Sequence, residues 1–585
     1  MIHKFFVILA SLSGAGIQLI HNLSISAITK LQSHPFRLPP SPKSTHRTWP
    51  IFFLRLVLFV FLGIFFLYPL LQILLRILLQ PQIWPKLWQQ ISTTNYYLHL
   101  TLFSLGLALL SVFLTLLLAF PGSYILAKYD FWGKAAWQNI VSVAFMLPTM
   151  VVATAFRGFL PSLGQQNQRL EALVAILLAH VFYNFSLIPR LVGEHWAKLD
   201  PSLEEAAAGL GASRLTIWRH VSWPLLKPVI LSACFLIFIF CFTSFGVVLL
   251  LGRGLINTLE TEIYRQSVTY LNLQLAFALA IWQISLVWLV NRLSRTSAQN
   301  KYILPKQTSS QTSPKKLKTS KRAWLLAVYL VLTLGFIIAP LARLFWRSFT
   351  LCSGTPSLAC YQALWFNPGR SIFFSSPLIA ISNSLQFATL SSLLCLVTML
   401  IYIYQNQLSD QTKQRGNSWL DLLLAMPLGT SSVVLGLGYM TAVWFQKTGF
   451  VLSTWRIIIL HTIVALPLVL VFIKSKYQAL PSDLGEAARS LGASEWQVWY
   501  RLTLPLLKKA LLVALSYAFL ISIGEFGATY LIARPEQITI PLLIRRYLGQ
   551  PGIINLGRAS ALSFLLVMVC LGGMLFIQKN ESGQF

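Results

Sequence analysis

Long apolar runs separated by short polar segments dominate this 585-residue chain. A transmembrane helix needs about 20 mainly apolar residues to cross the hydrocarbon core of a bilayer. The apolar runs therefore predict an all-α polytopic membrane protein with about twelve transmembrane helices. The predicted spans of the first half cover residues 51–72, 98–120, 138–160, 171–192, 226–250 and 273–292, and those of the second half cover residues 324–345, 379–403, 419–445, 456–474, 507–531 and 558–577.

Matching residues recur at a constant shift of 281 positions (486 − 205), which indicates an internal duplication. The matching pairs are Glu205 and Glu486, Gly211 and Gly492, Pro224 and Pro505, His180 and His461, Phe245 and Phe526, and Arg253 and Arg534. Because each half has six predicted spans, both halves have the same orientation. The sequence thus predicts two parallel six-helix repeats, a symmetry that is common in transporters.

The polar segments divide the chain into five predicted parts. They are an N-terminal extension and linker at residues 1–48, a first repeat at 49–293, a basic linker at 294–322, a second repeat at 323–578 and a tail at 579–585. The extension contains an interrupted apolar stretch, which fits a signal-like segment, an extra helix or a tail on the membrane surface. Its role stays open.

Charge distinguishes the two faces of the predicted membrane protein. Lys and Arg number 46 against 16 Asp and Glu, and only 11% of residues are charged. A basic balance suggests nucleic acid in a soluble protein, but in a membrane protein it fits cytoplasmic loops rich in Lys and Arg. The basic linker at 294–322 is then cytoplasmic, and so are both termini. We expect a multi-pass protein of a bacterial inner membrane that contacts lipid and no nucleic acid.

Cysteine and histidine do not predict a metal site, because no cluster of them has the spacing of a ligand set. Cys352 and Cys360 share a loop that is expected to lie outside the membrane. A disulfide there and two free thiols both remain open.

Two polar segments at residues 201–224 and 482–505 interrupt the apolar pattern at matching places. In each, strong helix formers precede a glycine, a serine cap and then a second short helix. We expect Pro224 and Pro505 to break that helix and to start the next span. Each segment then forms two short helices joined by a sharp turn and tied to a membrane helix, which is the shape of a lever.

The first segment reads Glu205-Ala206-Ala207, then Gly211, then Pro224; the second reads Glu486-Ala487-Ala488, then Gly492, then Pro505. This spacing resembles the EAA loop of the binding-protein-dependent permeases of ATP-binding-cassette (ABC) importers. The resemblance implies a type I importer permease fold, and these ten residues would couple two cytoplasmic ATP-binding subunits to the membrane helices. A periplasmic or lipid-anchored substrate-binding protein is implied as a further partner.

ATP hydrolysis is not expected of this chain, because the phosphate-binding motif G-x-x-x-x-G-K-[ST] is absent from its sequence. We therefore predict a transport subunit that is not an enzyme and holds no cofactor. ATP and Mg²⁺ would be bound by the partner ATPases.

The stretches "CFTSFGVVLLLGRG" and "SIGEFGATYL" make the chain similar to fused permeases for thiamine and for ferric iron. The candidate pathway residues are Glu525, its counterpart Ser244, Tyr183 and Asn184. A carboxylate at membrane depth needs water or a partner, so Glu525 fits a cation pathway and a structural pair equally. His180 and His461 are expected to bond neighbouring helices.

Two other classes of function remain open at this level. An ion-coupled secondary transporter with two parallel six-helix halves would also have twelve spans and a central linker. A membrane scaffold would transport nothing. The paired Glu-Ala-Ala, Gly and Pro segments favour the importer, because neither alternative needs them.

Overall fold

A computed structural model describes residues 48–79, 89, 95–159, 167–298, 315–316, 321–365, 376–410 and 418–581. Most of the predicted extension at 1–48 and most of the linker at 294–322 lie outside the described residues. Residues Leu54–Phe585 form one compact unit, and of the unit before it only the helical residues 48–53 are described. Apart from a two-residue parallel bridge between Tyr129–Asp130 and Lys315–Lys316, the regular structure in the described residues is helical. This confirms the all-α prediction.

Ten helices form the first repeat, in chain order. They are α1 Ile51–Leu78, α2 Tyr96–Lys128, α3 Lys134–Met146, α4 Thr149–Phe159, α5 Gln168–Ala197, α6 Pro201–Gly209, α7 Arg214–Phe242, α8 Gly246–Leu251, α9 Leu259–Tyr264 and α10 Leu273–Ala298.

Within the described residues, the helices of the second repeat follow the same order with two additional short ones. Its helices are α11 Lys321–Thr350, α12 Ala359–Trp365, α13 Pro377–Asp410, α14 Ser418–Ala425, α15 Ser432–Thr441, α16 Val443–Lys447, α17 Trp455–Gln478, α18 Ser482–Ser490, α19 Glu495–Gly524, α20 Gly527–Ile532, α21 Ile540–Leu548 and α22 Ile553–Glu581.

Among the described residues, ten helices are long and apolar enough to cross a membrane, or up to twelve if two bent pairs each count as one span. The third span of each half is such a pair, bent by 99° between α3 and α4 and by 96° between Trp419–Gly429 and α15. The spans predicted at 138–160 and 419–445 therefore correspond to bent helix pairs. Proline explains the first bend, because Leu147, which precedes Pro148, is extended as a residue before proline prefers to be.

The prediction that Pro224 and Pro505 break the second short helix is wrong, because α7 and α19 run through these prolines. Just before each proline lies one turn of π-helix, at Trp218–Ser222 and at Trp499–Thr503. A proline inside an α-helix lacks an N–H and clashes with the carbonyl four residues earlier. The wider π turn relieves this clash, so the helix continues from the polar segment into the membrane.

The first span of each half packs against the other half. Helix α11 contacts α3 and α4, and Trp137 of α3 donates to Thr333 of α11 at 3.1 Å. The Tyr329 hydroxyl of α11 also donates to the Leu118 carbonyl of α2 at 2.8 Å. Helix α1 contacts α15, where the Tyr439 hydroxyl donates to the Phe65 carbonyl at 2.6 Å. The two repeats are therefore interlocked by an exchange of first spans and are not two separate bundles.

The end of α11 is tied to α12 by a disulfide between Cys352 and Cys360. Gly557 in the first turns of α22 leaves room for this bridge, since a side chain there would collide with both sulfurs. The open question about these two cysteines is thus answered by the structure in favour of a pair.

Candidate functional site: two coupling segments and the interface between the halves

The two polar segments have the helix–turn–helix form that the sequence predicts. Helix α6 begins after Asp200, whose carboxylate accepts the Ser202 N–H at 2.9 Å. The turns that follow α6 and α18 place Gly211 and Gly492 at φ of +83° and +86°. Because a side chain is strained at such a positive φ, glycine is the residue that suits each turn. Ser213 and Ser494 then cap the N-termini of α7 and α19.

The tips of both segments expose apolar side chains at matching positions. Leu210 and Leu491 are 90% and 89% exposed. One turn further on, Leu215 and its counterpart Trp496 are also exposed. Contiguous exposed apolar groups rimmed by polar residues mark protein contact surfaces. We call Leu210, Leu215, Leu491 and Trp496 the tip residues.

The coupling residues named from the sequence lie around these tips. Glu205, Glu486, Ala206 and Ala487 are exposed, whereas Ala207 and Ala488 are half-buried. Each segment therefore has one polar edge, one small-residue edge and an apolar tip.

A half-buried ion pair attaches the first segment to the membrane helices. Lys128 at the end of α2 donates to Glu204 at 2.6 Å, and Ser222 donates to the same carboxylate at 2.9 Å. Partial burial would raise the pKa of Glu204, but the bonds from Lys128 and Ser222 outweigh it and lower the pKa below its ordinary value. The carboxylate is therefore charged at neutral pH, and the pair breaks only as the pH falls through the lowered pKa.

Neutral hydrogen bonds attach the second segment at the equivalent place. The Gln407 amide donates to the Glu495 carbonyl at 3.3 Å and accepts from the Thr503 hydroxyl at 2.8 Å. Position 409, which corresponds to Lys128, is a serine. The two segments thus share their shape but differ in the side-chain bonds that attach them to the membrane helices.

At the opposite ends of α7 and α19, four aromatic rings close the interface between the halves. Phe245 stacks on Phe526 with ring centroids 5.6 Å apart, and Tyr264 stacks on Tyr530 at 5.2 Å. The two hydroxyls of the tyrosine pair lie 3.3 Å apart. Each pair contains one residue from each repeat, so any separation of the halves at this level must open this aromatic cluster.

Glu525 and Ser244 immediately precede the stacked phenylalanines and are therefore brought close to the interface. The Glu525 carboxylate accepts the N–H groups of Ala528 at 2.8 Å and Thr529 at 3.0 Å, and it also bonds the Thr529 hydroxyl. His461 lies 3.4 Å from it. Glu525, one residue before the N-cap Phe526, thus satisfies two N–H groups in the first turn of α20.

The other two pathway candidates, Tyr183 and Asn184, do not join this pair. Tyr183 packs against Phe145 with centroids 5.9 Å apart. The Asn184 amide donates to the His180 carbonyl at 2.9 Å and contacts Cys241. Asn184 therefore connects α5 to α7 within the first repeat.

Both matched histidines contact neighbouring helices, as expected. His180 bonds Ser111 of α2 at 2.9 Å. His461 bonds Ser522 of α19 and Thr529 of α20, each at 2.8 Å.

A carboxylate that the sequence analysis did not single out joins the two halves. Glu260 of α9 is fully buried, accepts from the Gln283 amide of α10 at 2.5 Å and bonds the Ser431 hydroxyl of the other repeat. Ser431 in turn accepts the N–H groups that begin α15. Glu260 is the first glutamate of the segment "TLETEIYR" at residues 258–265.

Replacing Glu260 with Ala should destabilise the protein, because Gln283 and Ser431 would lose a buried acceptor. A buried polar group left without its partner costs about 1–3 kcal/mol. Thermal unfolding in detergent, followed by size-exclusion chromatography, measures the effect. Ser244→Ala is the control, since the Ser244 side chain is half-buried and no such network depends on it. Equal unfolding temperatures for the two variants would contradict the role given to Glu260.

No group of three His, Cys, Asp or Glu residues within the described ranges is arranged to hold a metal ion.

Comparison with known proteins follows the same division into two halves. The family model for the binding-protein-dependent transport system inner membrane component matches residues 116–298 and 331–579. The chain is 26% identical over 83% of its length to the thiamine transport system permease protein ThiP of Haemophilus influenzae, of which 88% is covered. It is 28% identical over 81% of its length to ThiP of Escherichia coli, of which 89% is covered.

A permease named for iron transport matches at lower sequence identity. The Fe(3+)-transport system permease protein FbpB 2 of Haemophilus influenzae is 24% identical over 78% of the chain and 85% of the relative. The family match covers both repeats and most of the described spans. The chain therefore belongs to the binding-protein-dependent permeases of ABC importers, as a multi-pass inner membrane component that carries the family's domain twice.

Proposed function

We propose that this chain is the complete membrane-spanning part of an ABC importer, and that one cytoplasmic ATPase docks on each polar segment. The observation that carries the proposal is the pair of apolar tips, Leu210 and Leu491, both about nine-tenths exposed. Two equivalent surfaces in one chain fit two copies of one partner. ATP and Mg²⁺ belong to those partners.

Each coupling residue has a physical part in this docking. The exposed carboxylates of Glu205 and Glu486 are available to basic groups of the ATPase, and the alanines that follow allow close approach. Gly211 and Gly492 set the turn that presents the tip. Pro224 and Pro505 lie just beyond the π turn, where the lever enters the membrane.

Movement of a docked segment would be transmitted along α7 and α19 to the aromatic cluster. Each is one continuous helix, of 29 and 30 residues respectively. When the ATPases close, the two helices would separate or approach at Phe245 and Phe526. That motion would open the path alternately to the two sides of the membrane. Both polar segments and both termini are then cytoplasmic.

Thiamine is the solute that we favour, with ferric iron as the second candidate. Relatives named for thiamine transport cover more than four-fifths of the chain. The aromatic cluster offers ring faces, to which an organic cation is attracted. Iron would need oxygen ligands, but the carboxylate oxygens of Glu260 and Glu525 already accept bonds from protein groups. A separate binding protein would deliver the solute.

Charging both tips should prevent docking. We expect Leu210→Asp with Leu491→Asp to abolish co-purification of the ATPase and solute uptake, because each substitution places a charge where an apolar contact is needed. A pull-down of the ATPase from membranes, together with uptake in intact cells, measures both effects.

The control is Leu358→Asp, which charges another exposed leucine, in the loop after α11. It should leave ATPase association intact. If the doubly charged variant still binds the ATPase as well as this control does, the docking surface lies elsewhere.

The identity of the solute is tested by measuring which solute the partner binding protein binds. Calorimetric titration with thiamine and with ferric iron should give tight binding of thiamine and no binding of iron. The reverse result would transfer the proposal to iron, and it would leave the docking of the ATPases untouched.

A further inference from the structure

Three arginines converge where α4 and α11 end beside each other. Arg157 lies in the last turn of α4, and Arg343 and Arg347 lie one turn apart near the end of α11. The two helices belong to different repeats and pack against each other. Arg347 is close enough to Arg343 and Arg157 for the three charges to repel one another. We call these three residues the arginine patch.

The arginine patch is open to its surroundings and is not paired with carboxylates. Arg343 is exposed, whereas Arg157 and Arg347 are half-buried. Arg157 donates to the Leu548 carbonyl at 3.4 Å. Within the described residues, no ion pair includes a member of the patch. The segments that follow α4 and α12, residues 160–166 and 366–375, contain no Asp or Glu. An anion from outside the chain can therefore offset this charge.

The equivalent contact in the other pair of helices is closed and apolar. At the shift of 281, Arg343 and Arg347 correspond to Leu62 and Phe66 of α1, both of which are buried. Arg157 corresponds to Gly438 of α15, where a side chain would collide with α1. The shared fold therefore does not require arginines at this contact, and one side of the molecule has acquired them.

The patch lies at the membrane interface farther from the basic linker. Helix α11 begins beside that linker at Lys321 and crosses toward Thr350. Trp346 adjoins two of the arginines in sequence and is exposed, as tryptophans at the level of lipid headgroups are. Lys and Arg are normally in excess on the cytoplasmic side. That preference does not account for three arginines at the opposite interface.

We propose that the arginine patch binds the phosphodiester headgroup of an anionic phospholipid. A planar guanidinium matches two phosphate oxygens with parallel hydrogen bonds, and basic sites between transmembrane helices suit anionic headgroups. The acyl chains would lie along the exposed apolar surface of α11, of which Ile338 and Phe345 are part. This inference is independent of the solute and of where the ATPases dock, because it needs only a membrane-spanning chain.

A headgroup bound there would join the two repeats. Arg157 belongs to the first repeat, and Arg343 and Arg347 belong to the second. A phosphate between them would replace repulsion by attraction at one of the two contacts formed by the exchange of first spans. The Trp137–Thr333 bond, at 3.1 Å, already links α3 to the same helix α11. We therefore expect the lipid to stabilise the packing of α11 against the bent pair α3 and α4.

The test measures lipid binding to the full-length chain, extracted from membranes with its native partners. Native mass spectrometry follows titration with phosphatidylglycerol and, separately, with phosphatidylcholine. The parent protein should bind phosphatidylglycerol more tightly than phosphatidylcholine. The variant Arg343→Gln with Arg347→Gln should bind the first phosphatidylglycerol about thirtyfold more weakly, which is the scale expected for the loss of two basic groups near anionic lipid.

Two matched variants separate a specific site from a general effect of charge. Arg169→Gln with Arg534→Gln removes two exposed arginines that lie outside the patch, and it should leave the affinity for phosphatidylglycerol within about twofold of the parent value. Arg343→Lys with Arg347→Lys keeps the charge and should recover most of the lost affinity, which a misfolded protein would not do.

A further titration distinguishes a lipid from a free anion. Inorganic phosphate should displace phosphatidylglycerol only weakly, because it lacks the acyl chains whose burial adds to binding. Displacement by phosphate at concentrations similar to those of the lipid would contradict the proposal in favour of a free-anion site.

Three other results would also overturn it. They are equal affinity of the parent protein for the two lipids, equal affinity of the parent and the glutamine variant for phosphatidylglycerol, and equal weakening by the control pair of arginines. If the glutamine variant instead loses docking of a substrate-binding protein while its lipid binding is unchanged, the patch is a protein contact and not a lipid site.

Discussion

The continuity of one helix in each repeat, from the coupling segment to the aromatic cluster, is the constraint on which the rest of the structure depends. Helices α7 and α19 contain 29 and 30 residues, and at about 1.5 Å per residue each is about 45 Å long. A single π turn admits the proline without breaking either helix. A displacement at one end is therefore delivered to the other end with little loss.

Near both ends of these helices, side chains accept hydrogen bonds from backbone N–H groups that would otherwise have no partner. Serine caps begin each helix beside a glycine turn. Beyond the far end, Glu525 accepts N–H groups in the first turn of the short helix α20, and Glu260 reaches across to Ser431 at the start of α15. An uncapped helix end at membrane depth would cost several kcal/mol for each unsatisfied group, so buried carboxylates are tolerated here. The exchange of α1 and α11 joins the two repeats by direct contacts.

Much of this arrangement could be predicted from the sequence, because it is local or repeated. Hydropathy located the spans, the shift of 281 paired the halves, and the Glu-Ala-Ala, Gly and Ser pattern predicted the helix–turn–helix form of the two polar segments. The bends of the third spans had visible signs in Pro148 and in the cap Ser431. Periodicity alone cannot separate a bent pair from a straight span of equal hydropathy.

Contacts between distant parts of the chain could not be predicted in this way. The exchange of first spans depends on which helix surfaces pack together, and the hydrophobic pattern of a single sequence does not specify these contacts. The same holds for the bond between Glu260 and Ser431, which are separated by 171 positions. The ion pair between Arg253 and Glu171, which are separated by 82 positions, is a further example.

The measurement that tests the lever most directly is a distance between spin labels at Leu255→Cys and Glu536→Cys, which are equivalent exposed positions beyond the aromatic cluster. It is made on the assembled transporter after replacement of the free cysteines, with and without ATP. The account predicts that ATP changes this distance and that Gly211→Val with Gly492→Val abolishes the change. A distance that ATP leaves constant during transport, or one that still changes in the double variant, would contradict the account.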